Sequence, residues 1–144
     1  MKIGIVDADL LSRTKHRFPN LVCMKLSGYY KEQGHDVSLL SDWAFPPNAF
    51  DKIFISKVFT DTYCPDNLLK LSNVEYGGTG FFYDKAKPLP YEVEHHMPDY
   101  HLYDKYFGDL SRNDLKYYRD YSIGFTTRGC IRGCSFCVNQ NRKS

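Results

Sequence analysis

Lys2-Ile-Gly-Ile-Val6, followed at once by Asp7-Ala8-Asp9, is the stretch that decides how the first half of this chain is read. A short apolar run with no polar alternation is the pattern of a strand buried on both faces. The acids at its end match the place where such a strand reaches the ligand-facing edge of a parallel sheet. Working outward, Leu21, Met24, Leu26, Tyr29 and Tyr30 recur at helical spacing, which predicts a helix over 20–33 with Gly34 as its stop. Asp36-Val-Ser-Leu-Leu40 reads as a second strand and Lys52-Ile-Phe-Ile-Ser56 as a third. Pro46-Pro47 rules out a regular helix between them, so an irregular loop carrying Trp43 and Phe45 is expected there.

Pro65 suits the first turn of a helix over 66–71, and Asn73-Val-Glu-Tyr76 then reads as a fourth strand running into Gly77-Gly78-Thr79-Gly80. Alternation of strand and crossover predicts an α/β fold, a Rossmann-like doubly wound parallel sheet of four or five strands in the order 2-1-3-4. Ligands in such sheets sit beyond the carboxyl ends of the strands. The 7–9 edge, the 56–60 edge and the glycine loop should therefore face one crevice. Gly77, Gly78, Thr79 and Gly80 are the candidate cofactor-binding positions on this domain, because glycine lets another group approach the backbone closely. The pair does not match the three-glycine dinucleotide fingerprint. Asp7 and Asp9 are read as solvating the strand end or capping the next segment. His95-His96 is read as an exposed pair whose rings diverge rather than as metal ligands.

The chain has 144 residues, 42% of them hydrophobic, which suffices for one good core. A net charge of +2, with no basic stripe, gives a nucleic-acid partner no support. No run approaches the roughly 20 apolar residues of a membrane span, and the opening strand is no leader peptide, so a cytoplasmic location is expected. The stretch 83–120 is tyrosine-rich, charged and broken by prolines, and reads as a linker that wraps the first domain. A short helix over 110–120, with Ser111 as its cap, and a strand over 121–126 are expected near its end.

Three cysteines then fall within eight residues, in Arg128-Gly-Cys-Ile-Arg-Gly-Cys-Ser-Phe-Cys137. Their C-x3-C-x2-C spacing lets three thiolates converge on one small cluster while loop N–H groups offset the charge. Structural zinc takes four ligands from two separated pairs, and no second pair is present. An odd total of five cysteines argues against a disulfide framework. Cys23 and Cys64 lie far upstream, in stretches that read as helix or helix start. Three ordinary thiols are the plainest alternative, against which their density stands.

The same ten residues resemble the C-x3-C-x-aromatic-C signature of radical S-adenosylmethionine enzymes, including the Arg-Gly that precedes it in their cobalamin-domain subgroup. The resemblance implies that Cys130, Cys134 and Cys137 each ligate one iron of a [4Fe–4S] cluster whose fourth iron chelates S-adenosylmethionine. Reduction by an external one-electron donor would then cleave the sulfonium to give a 5′-deoxyadenosyl radical. Phe136 matches the aromatic position near the adenine. An α/β module with a Gly-Gly loop, followed by Leu89-Pro-Tyr-Glu-Val-Glu94 and Met97-Pro-Asp-Tyr-His-Leu-Tyr103, is likewise similar to the cobalamin-binding-like domain that precedes the barrel in many of these enzymes.

The Asp-x-His-x-x-Gly loop that ligates cobalt is absent after strand one, and His16 has the wrong spacing, so cobalamin is carried as a possible cofactor only. The expected organisation is a cobalamin-binding-like domain over 1–82, a linker over 83–120, and the first strand and cluster loop of a truncated (β/α) barrel over 121–144. A full barrel needs on the order of 200 residues or more, so the sequence reads as an N-terminal fragment that is not by itself competent in catalysis, and no catalytic residue is assigned. The alternative is a stand-alone α/β module that binds cobalamin or a nucleotide, with a structural metal site.

Overall fold

A computed structural model describes residues 1–13 and 19–104 of the chain. Four strands among them form one all-parallel sheet: β1 (Lys2–Asp7), β2 (Asp36–Leu39), β3 (Lys52–Ser56) and β4 (Val74–Gly77), in the order β2-β1-β3-β4. The predicted order 2-1-3-4 is the one observed. Asp7 is the register partner of Ser56, and Ser56 of Gly77, so three strands end in line at one carboxyl edge.

The period of two along each strand separates two cores. Ile3, Ile5 and Phe54 face one side and pack with Cys23, Met24 and Leu26 of the long helix α2 (Leu21–Glu32). Val6, Ile53 and Ile55 face the other side and pack with Leu40 and with Leu68 of α3 (Asp66–Leu69). Trp43, Phe45 and Phe50 from the β2–β3 connection cover that second face. The connection holds only a 3-10 turn, Pro47–Ala49, as the two prolines dictate. Each fully buried Ile, Val or Leu adds about 1.5–3 kcal/mol, so the two faces together anchor the sheet.

Between β1 and α2 lies a five-residue helix, α1 (Ala8–Ser12), which the sequence pattern does not predict. Asp7 caps it by accepting from the Leu10 amide at 3.2 Å, which is the capping role expected of that acid. A four-residue helix α4 (Thr79–Phe82) follows Gly78, and α5 (Tyr91–Glu94) follows Pro90.

Over its described part, 83–104, the tyrosine-rich stretch packs into the core of the sheet domain. Val93, Leu102 and Tyr103 are buried in the same cluster as Ile3 and Ile5. Polar contacts bind this strap to α2. Lys25 reaches Glu94 at 3.2 Å, Ser27 and Lys31 each donate to Asp99 at 2.7 Å, and the Asp99 amide donates to the Met24 carbonyl at 2.8 Å. Gly28 makes the approach possible, since a Cβ there would stand 2.4 Å from the Met97 carbonyl oxygen. The expected helix over 110–120, the strand over 121–126 and the cysteine loop lie outside the described residues, as does His16.

Candidate functional site

Two parallel strands that leave a sheet centre in opposite directions create a switch point where their carboxyl ends diverge. Here that point lies between β1, whose chain goes on to β2 on one side, and β3, whose chain goes on to β4 on the other. Asp7 and Ser56 end those two strands, and α2 begins above them at its cap, Asn20. Asn20 Oδ1 accepts from the Cys23 amide at 3.2 Å, and its Nδ2 donates to Ser56 Oγ at 3.0 Å. Tyr103 enters the same space from the strap. Its hydroxyl donates to Asp7 Oδ2 at 2.7 Å and accepts from the Asn20 amide at 2.9 Å.

Asp7 and Tyr103 are each only 1% exposed. Burial, and then the negative charge of Asp7, push the Tyr103 phenol well above its ordinary value, so it stays protonated and donates. The Cys23 thiol is likewise pushed up by burial and by the nearby Asp7 and Asp9 charges. It is therefore a neutral packing residue and a poor metal ligand.

Asp9 is fully buried, which strand-end solvation does not describe. It clamps the loop after β3, accepting from the Val58 amide at 2.8 Å, the Phe59 amide at 3.4 Å and the Thr62 hydroxyl at 2.6 Å. Lys57 joins that loop to the next one. Its amide donates to the Gly77 carbonyl at 3.1 Å, its carbonyl accepts from the Gly80 amide at 2.8 Å, and its ammonium lies 4.4 Å from the Phe81 ring centroid.

This clarifies the glycine loop. Gly78 has φ +108°, and a Cβ on it would stand 2.4 Å from the Lys57 carbonyl oxygen; at Gly80 the corresponding distance is 2.8 Å. Both glycines thus serve the close approach of the β3 and β4 loops. The Thr79 hydroxyl is engaged too, donating to the Val58 carbonyl at 2.8 Å. Gly77 differs, because nothing lies within 4 Å of a Cβ built there. The four candidate positions are brought together at the carboxyl edge, with Val58, Phe59, Phe82 and Tyr83 exposed around them.

Cys130, Cys134, Cys137 and Phe136 lie outside the described residues, and Cys23 and Cys64 are free thiols. Among the described residues, no group of three or more His, Cys, Asp or Glu is arranged to hold a metal ion. The two adjacent histidines take different partners, but His96 is half-buried rather than exposed as expected. His95 stacks on Tyr91, with centroids 4.0 Å apart, while His96 pairs with Glu32 and the Met97 carbonyl. No helix among the described residues is long and apolar enough to cross a membrane.

Residues 7–13, directly after β1, contain no histidine, and His16 lies outside the described residues. Sequence reasoning placed Lys57 on the 56–60 edge but missed Tyr103 and Thr62 as members of it. The only available signals were the density of tyrosines in the strap and the position of residues 56–60 at a strand end.

The fold and edge geometry define an α/β domain of Rossmann-like topology. Comparisons with protein-family models, curated proteins and solved structures find no match for the chain.

Proposed function

We propose that this chain contributes the α/β accessory domain and the cluster-binding loop of a radical S-adenosylmethionine enzyme. One observation carries the reading: Cys130, Cys134 and Cys137 at C-x3-C-x2-C spacing, with Phe136 between the last two. The donor set fits a [4Fe–4S] cluster, because three closely spaced thiolates can each take one iron and leave the fourth iron for S-adenosylmethionine. When bound, that cluster supplies the electron that cleaves the sulfonium, with an external reductant as its source.

The chain's own residues have simpler tasks. The three thiolates bind and orient, and Phe136 packs against the adenine. The parallel sheet and its strap supply an accessory domain that precedes the cluster loop in sequence. Support for that arrangement comes from the order of parts, with a Rossmann-like domain preceding the cysteine loop.

Anaerobic reconstitution of the chain with ferrous iron and sulfide tests the reading. The expected result is about four irons and four sulfides per chain, with a broad absorption band near 400 nm. Tight zinc binding with no iron–sulfur band under the same conditions would overturn it.

A further inference from the structure

A doubly wound domain usually keeps its switch point open, with the amides of the following helix's first turn free to meet a ligand oxygen. In this chain that space has an occupant. Tyr103 Oη accepts from the Asn20 amide at the start of α2 and donates to the carboxylate that ends β1, at 2.9 and 2.7 Å. Those are the two bonds a ligand hydroxyl would make there. Asn20 Nδ2 spends its donor on Ser56, the residue that ends β3.

The occupant is not a loose side chain. Leu102 and Val93, in the same strap, lie in the core with Ile3 and Ile5. Asp99 is tied to α2 through Ser27, Lys31 and the Met24 carbonyl. To vacate the space, a ligand would have to displace Tyr103, break its bonds to Asp7 and the Asn20 amide, and loosen part of the core.

We infer that residues 91–103 are a built-in occupant of the switch-point crevice, and that this site is thereby closed to corrinoids and nucleotides. The inference is independent of the cysteine loop and does not rest on its carrying a cluster. It assigns the described domain a supporting role in place of cofactor binding at that edge.

Two experiments on the full chain test this. In the first, the unaltered protein is titrated with hydroxocobalamin and separately with Mg-ATP, and the backbone amides are followed by NMR. The amides of Asn20 and Ser56 are expected to stay unmoved at millimolar probe. Saturable shifts at those two amides would overturn the inference, whereas binding that moves only other residues leaves it standing. In the second, alkylation of Cys23 by a maleimide is timed by peptide mass mapping. Tyr103→Ala should speed that alkylation at least about tenfold by opening the crevice above it. An unchanged rate in a folded Tyr103→Ala protein would count against the occupant role. Should that variant fail to fold, the titration of the unaltered chain still decides.

Discussion

The phenol of Tyr103 and the carboxylate of Asp7, 96 residues apart in sequence, meet at 2.7 Å with both side chains buried. This contact joins the last described segment to the first strand and closes the domain on itself. Because Tyr103 also accepts from the Asn20 amide, one hydroxyl satisfies an acid, an amide and its own buried oxygen. Tyr103→Phe keeps the ring but removes a buried bond to the Asp7 carboxylate and another to the Asn20 amide. A loss of about 2 kcal/mol is expected, read as a lower urea midpoint with an unchanged slope. A loss below a few tenths would mean that water replaces the hydroxyl without strain.

The glycine loop makes a paired prediction. Gly78→Ala forces an L side chain into φ +108° and against the Lys57 carbonyl, and should cost at least about 1–3 kcal/mol. Gly77→Ala, with open space around its added Cβ, should change thermal stability by no more than about 0.5 kcal/mol. Equal losses at the two positions would show that packing against Lys57 is not what the loop requires.

Much of this was legible in the sequence, and the reasons are specific. The strands could be found because Ile3, Ile5, Ile53 and Ile55 sit in short apolar runs bounded by polar residues, and the helix over 21–32 because its apolar residues keep one face. The five-residue α1 could not, since a helix that short has no period to detect and depends on the Asp7 cap. The burial of Val93 and Leu102 in the strap could not be read, because prolines break any repeat around them. The Tyr103–Asp7 pair was invisible for another reason: no local pattern records which tyrosine will meet an acid on a distant strand. The glycines were legible as a place of close approach, but the approaching group proved to be the chain's own Lys57 carbonyl.

The strap should also respond to pH at both ends of the range. The Met97 carbonyl and then Glu32 raise the His96 imidazole's pKa above its ordinary value of about 6.5. A group raised in the folded state contributes stability that is full below its unfolded value and is lost as pH rises through its folded value. His96→Gln should therefore flatten the decline in urea midpoint above about pH 6.5. On the acid side, burial works to raise the Asp99 carboxyl, but bonds from Lys31, Ser27 and the His101 amide outweigh it and lower its pKa. Its contribution is present above about pH 4 and disappears as pH falls through the lowered value, so Asp99→Asn should flatten the acid limb. Parallel pH profiles for the two variants and the unaltered chain would contradict this account of the strap.

The cysteines divide into two sets with different chemistry, which yields the sharpest expectation for the proposed cluster. Cys23 is held neutral chiefly by burial, and the half-buried Cys64 thiol is also raised by burial despite the opposing charge of Lys57, so neither offers a ready thiolate. Cys130, Cys134 and Cys137 carry the spacing that suits a cluster. After anaerobic reconstitution, Cys130→Ala, Cys134→Ala and Cys137→Ala should each lose most of the absorbance near 400 nm, since two thiolates hold a cubane poorly. Cys64→Ala should retain it, and so should Cys23→Ala once allowance is made for its altered core packing. Retention of full iron and sulfide by any one of the first three variants would remove that cysteine from the ligand set. Loss in Cys64→Ala would instead identify a fourth sulfur ligand and with it a closed, electron-carrying site, which is incompatible with an iron open to S-adenosylmethionine.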